Sequence, residues 1–105
     1  MVMGDMTASK DIVAATPINL PGRLDYAACD SLAAAIDGRR GNTLQLQAAN
    51  VQFLGALAAE ILMRARAEWL AEDLGFALVE PSKDFLQGLA LLGIAQNELI
   101  RESSE

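Results

Sequence analysis

Hydrophobic positions recur along this chain with two periods, about two residues in some stretches and about 3.6 in others, and the switches between them outline the elements. In "NTLQLQAANV", Leu44, Leu46 and Ala48 alternate with polar neighbours, which predicts a strand with one buried face. From residue 56 to about 71 the period changes: Ala58, Ile61, Leu62, Ala65 and Trp69 fall on one stripe of a long helix. Glu60, Arg64 and Glu68 lie on another face of that helix, where each ion pair adds roughly a few tenths of a kcal/mol, and are read as a solvated row. An earlier helix is predicted by Cys29, Leu32, Ala33 and Ile36, with Asp25 as N-cap and Gly38 at its end. Arg39 and Arg40 follow, where cations favour the helix dipole. A third helix is predicted by Phe85, Leu86, Leu89 and Leu92, capped by Ser82 after Pro81 and closed by Gly93. "FALVE", after the break at Gly75, predicts a short strand. Residues 11–20, where Ile12, Val13, Ile18 and Leu20 alternate loosely around Pro17, suit an edge strand or two short strands. "IAQNELI" continues as a short strand or a last helical turn. The order β, α, β, α, β, α places the chain in the α/β class, since each crossover between parallel strands needs a helix.

A chain of 105 residues supports one core, with residues 1–10 as a flexible lead-in, residues 11–101 as the domain and residues 102–105 as a tail. A hydrophobic fraction of 52% with 21% charged residues belongs to a folded domain rather than a disordered one. A formal net charge of −6 argues against a nucleic-acid groove or an anionic membrane surface, both of which need clustered Lys and Arg. No apolar run reaches the roughly 18 residues of a membrane span, and "MVMGDMTASK" lacks the pattern of a signal peptide, so a cytoplasmic location without membrane insertion is expected. The lone Cys29 cannot form an internal disulfide and is read as a small core residue.

Candidate chemistry narrows the picture further. The chain has no histidine, which removes Ser-His-Asp and Cys-His nucleophilic sites and His-containing zinc sites together. It carries no GxGxxG, GxxxxGK[ST] or CxxC motif. The expectation is a protein that is not an enzyme, with no catalytic residue, cofactor or metal. "VQFLGALAAEIL" runs from a strand across one glycine into the long helix, a place where free N–H groups face an anion, yet Gly55, Ala56, Leu57 and Ala58 offer no reactive group there.

Several motifs in order carry a family resemblance. "LPGRLD" (residues 20–25) precedes the first helix, "LQLQAANVQFLGA" leads into the long helix ending "AEWL", and "LGFALVEPSKDFLQGLALLGI" follows. Over residues 18–99 the chain resembles a STAS domain, the fold of anti-anti-sigma factors. The resemblance implies a mixed sheet of four to five strands with helices packed mainly on one face. In phosphorylatable members the helix start reads D-S-x-G and supplies a serine that an ATP-dependent protein kinase phosphorylates. The matching positions here are Gly55, Ala56, Leu57 and Ala58, so Ala56 is a degenerate phosphoacceptor position; Gln47 and Gly55 stand where the family commonly has acidic residues. The form "V-x-x-L-G-A", with a Trp late in the helix, is most similar to small STAS proteins of chemotaxis clusters in alphaproteobacteria. That subgroup is implied to bind the chemotaxis histidine kinase and to assist dephosphorylation of a phosphate-sink response regulator. The alternatives are an antagonist of another ATP-binding kinase or anti-sigma factor, and the small STAS subunit of a lipid-transport ATP-binding cassette complex. The expected docking face comprises Leu54, Gly55, Ala56 and Leu57, extended by Glu60 and Arg64.

Overall fold

The computed structural model describes residues 17–100 of the chain, so the expectations for residues 1–16 and 101–105 lie outside the described residues. Two extended segments run side by side, and each is interrupted. The first contributes β1 (Ile18–Asn19) and β2 (Arg23–Leu24), the second β3 (Leu44–Gln47) and β4 (Phe53–Leu54); β5 (Phe76–Val79) completes the strands. β1 pairs with β3 and β2 with β4, so the order in one sheet is β1-β3-β5 and the other sheet is β2-β4. Between the pairs Asn19↔Gln47 and Arg23↔Phe53 the first segment advances four residues and the second six. The surplus forms a turn at Ala49 and Asn50 that buries Val51, while the carbonyl of Gly22 accepts from both Gln52 and Phe53 N–H at 2.6 and 3.1 Å. The turn, together with Pro21, which has no N–H to donate, divides what the resemblance implied to be one sheet.

Every pairing among the described residues is parallel. The mixed sheet expected above is therefore replaced there by two small parallel sheets in an α/β fold with three α-helices. These are α1 (Cys29–Asp37), α2 (Ala56–Ala71) and α3 (Lys83–Leu91). Crossovers through α1 and α2 join the strands of the larger sheet, and the two helices pack against each other. Leu44 and Leu46 point into the core, whereas Gln45, Gln47, Ala77 and Val79 occupy the opposite, half-buried face. Of the strand or strands expected over residues 11–20, the described part is β1, which among the described strands pairs with β3 alone.

The helix boundaries follow local chemistry. A 3-10 turn, Tyr26–Ala28, capped by the Asp25 carboxylate at 3.2 Å from Ala28 N–H, leads into α1. Ser82 caps α3 by accepting from Phe85 N–H at 3.0 Å. Gly93, at φ +77, ends that helix in a left-handed conformation, and Ile94 N–H returns to the Leu89 carbonyl at 2.9 Å. "IAQNELI" resolves as a 3-10 turn, Gln96–Glu98, followed by the buried Leu99.

Trp69, the one tryptophan, is 1% exposed and donates its indole N–H to the Asn42 carbonyl at 2.7 Å. Three expectations shift. Leu92 lies outside the core stripe of α3, and Ile61 is only half-buried. Glu68 leaves the solvated row to pair with Arg40 of the α1 C-terminal turn at 2.7 Å. Arg40 also pairs with Asp37 at 3.0 Å and stands 4.9 Å from the Trp69 ring centroid, so it ties the end of α1 to α2. Its hydrogen bonds to Glu68 and then Asp37 hold the guanidinium pKa above its ordinary value. No helix among the described residues is long and apolar enough to cross a membrane.

Candidate functional site

The turn between β4 and α2 is built from backbone. Gly55 is the N-cap of α2 in an extended conformation, φ −89 and ψ 164, and supplies no side-chain cap. Its own N–H donates to the Leu24 carbonyl at 2.8 Å and its carbonyl accepts from Ala59 at 3.0 Å. A Cβ added at Gly55 would come within 3.1 Å of the Leu24 carbonyl oxygen, which explains why the close approach of the two extended segments favours glycine. The first-turn N–H groups that follow have no intrahelical acceptor, by the geometry of any helix start.

The six residues expected to form one docking face divide in the structure. Gly55 is half-buried, and Ala56 and Leu57 are exposed at the helix start. Leu54, however, is 5% exposed and serves the core. Its side chain lies under α3 at Gly88, where an added Cβ would stand 2.9 Å from Leu54 Cβ. Glu60 and Arg64 pair with each other along α2 at 3.6 Å, and Arg64 lines a separate groove between α1 and α2 with Asp37, Arg40 and Glu68. Glu60, three residues after Leu57 and four after Ala56 on α2, stays on the face next to the turn, whereas Arg64 lies one helical turn further on, at the groove toward α1.

What the turn adjoins instead is α3. A groove of about 320 Å³ runs between them, lined on one side by Gln52, Phe53, Leu54, Gly55 and Ala56, and on the other by Asp84, Gln87, Gly88, Leu91 and Leu92. Of the six large hydrophobic side chains exposed among the described residues, Phe53, Leu91 and Leu92 line this groove. Clustering of that kind marks a contact surface more strongly than scattered exposure does. Sequence reasoning missed the α3 side because Leu92 fits the helical core stripe; the exposed Leu91 beside it was the available signal.

Other residues singled out by sequence have local roles. Gln47 donates its amide N–H to the Glu80 carboxylate at 3.2 Å and accepts from Ala49 N–H at 2.9 Å. An acidic side chain at Gln47 would face Glu80 with like charge, so the neutral amide suits this position. Glu80, at φ 49, is a non-glycine residue in the left-handed region and directs the chain into Pro81 and the cap at Ser82. Cys29 is buried, its thiol directed at the Asp25 carbonyl at 3.5 Å. Asp25 also accepts from Arg23 at 3.3 Å, and Arg23 lies 5.2 Å from the Phe53 ring centroid. Comparison of the chain with family models, curated proteins and solved structures finds no match.

Proposed function

We propose that this chain is a non-enzymatic protein-interaction module of a bacterial signalling system, a degenerate STAS domain that binds a chemotaxis-type histidine kinase and modulates phosphoryl signalling. In this reading the β4–α2 turn docks the partner where phosphorylatable STAS domains carry their serine. The observation that supports it most is the surface at the turn. Gly55 and Ala56 present small residues and a helix start without a side-chain cap, beside a groove with Phe53, Leu91 and Leu92 exposed. Small residues let a partner backbone approach closely, and a helix start accepts a partner carboxylate in place of a phosphate. The reading also treats the two parallel sheets as the STAS sheet interrupted at Pro21 and at the Ala49–Asn50 turn, and places the module in the cytoplasm.

Ser82 is not an alternative phosphoacceptor in this account. Its hydroxyl donates to the Val51 carbonyl and accepts from Phe85 N–H, so phosphorylation would disrupt a cap on α3. Incubated with ATP and the kinase, the chain should take up no phosphate over residues 50–60, which contain no Ser, Thr, Tyr or His. The deciding experiment is a pull-down from cytoplasm with mass spectrometry of the retained proteins. A chemotaxis-type histidine kinase among them supports the reading. A lipid-transport ATPase or an anti-sigma kinase in its place overturns it.

A further inference from the structure

The groove beside the turn has a composition that selects its occupant. Phe53 is 43% exposed on one wall, and Leu91 and Leu92 are 80% and 37% exposed on the other. Gly88 adds no side chain between these walls, and Leu54 forms the apolar floor against it. Asp84 is the one charged residue that lines the groove. Arg23, over the Phe53 ring, is paired within the chain to Asp25.

We infer that this groove seats a short amphipathic helix of a partner protein. Its apolar anchors lie on Phe53, Leu91 and Leu92, and a lysine or arginine faces Asp84. This rests on the reading of the chain as a protein-interaction module and names the chemistry of its partner. Charge complementarity selects a basic flank, because the chain carries a net charge of −6 and the one charged residue lining its groove is the carboxylate of Asp84, in the first turn of α3. A second copy is disfavoured on the same ground: it would bring a further net charge of −6 toward Asp84. A helix fits better than a strand. β4 has two residues and ends at Leu54, too short to template an added strand, whereas a helix face uses two or three anchors in a groove.

The test uses two synthetic amphipathic peptides of roughly 14 residues with the same leucine stripe, one with lysines on its polar face and one with glutamates. Each is titrated into the isotope-labelled full chain and followed by amide chemical shifts. The lysine peptide should shift the signals of Phe53, Gly88, Leu91 and Leu92 and bind about tenfold or more tightly than the glutamate peptide. Asp84→Lys and Leu91→Ser, both at exposed positions, should each weaken it about tenfold; Leu91→Ser should unfold like the parent, and Asp84→Lys, a cation in the first turn of α3, should unfold somewhat earlier yet remain folded at the titration temperature. Shifts centred elsewhere, equal binding of the two peptides, or parent-like binding by both variants would overturn the inference. A purified histidine kinase separates it from the wider reading. Equal binding of the kinase to parent and Leu91→Ser overturns the groove and leaves the docking turn standing. No kinase binding, with the peptide shifts as expected, overturns the kinase and leaves the groove.

Discussion

At the scale of single residues, the candidate surface and the core use the same small side chains for opposite purposes. Ala56 is exposed at the start of α2, whereas Ala58 and Ala59, within the same turn, are 1% and 0% exposed. Ala56→Glu places an anion where the helix dipole tolerates it, so stability should change by less than about 1 kcal/mol, read by urea unfolding with Trp69 fluorescence. Leu62→Ala, at a side chain 0% exposed, should lower stability by about 2–5 kcal/mol through a cavity and affect partner binding only through the unfolded fraction. Gly88→Ala has two opposed effects. Alanine favours a helix interior by about 1 kcal/mol over glycine, but its Cβ would stand 2.9 Å from that of Leu54. Overpacking of this kind typically costs about 1–3 kcal/mol, so the variant should be less stable on balance in the same unfolding measurement. A variant more stable than the parent would show that α3 can move away from Leu54 at little cost.

At the scale of elements, caps decide where the helices begin, and their legibility differs. Ser82 was readable because it is a short polar side chain directly before an apolar periodicity, and it caps α3 as expected; Asp25, read in the same way, caps the 3-10 turn Tyr26–Ala28 instead, and α1 begins after Ala28 without a side-chain cap. Ser82→Ala removes both the cap and the bond to the Val51 carbonyl that holds α3 to the turn before β4. It should cost about 1–2 kcal/mol in thermal or urea unfolding. The Arg40 contacts were not readable in this way. Cations after Gly38 suit a helix C-terminus, but pairing of Arg40 with Glu68 depends on how α1 lies against α2, which the period of neither helix specifies. The division of the strands was equally hidden. In "LQLQAANVQFL" apolar residues recur from Leu44 to Leu54, and only the pairing partner at Gly22 reveals that two residues of it are surplus to the ladder.

For the whole molecule, the alternation of strands and helices was legible, and so was the long helix to its ends at residues 56 and 71. The candidate surface was legible in part. Gly55 and Ala56 stand out in sequence because a chemically favourable position is occupied by residues without chemistry. The groove they share with α3 joins residues 52–56 to residues 84–92, and no local pattern links them. Glu60 and Arg64 were grouped with the turn by proximity along α2, yet Arg64 lines the groove toward α1 instead. The central proposal is that the β4–α2 turn is a docking surface at the position where phosphorylatable STAS domains carry their serine. Calorimetric titration of a purified chemotaxis-type histidine kinase with the parent chain and with Ala56→Glu tests it most directly. The account predicts that the parent binds and that Ala56→Glu, still folded, binds at least about tenfold more weakly, because a carboxylate stem would overlap the packed partner and lose its hydration. Equal binding by the folded variant, or no binding by the parent, would contradict it.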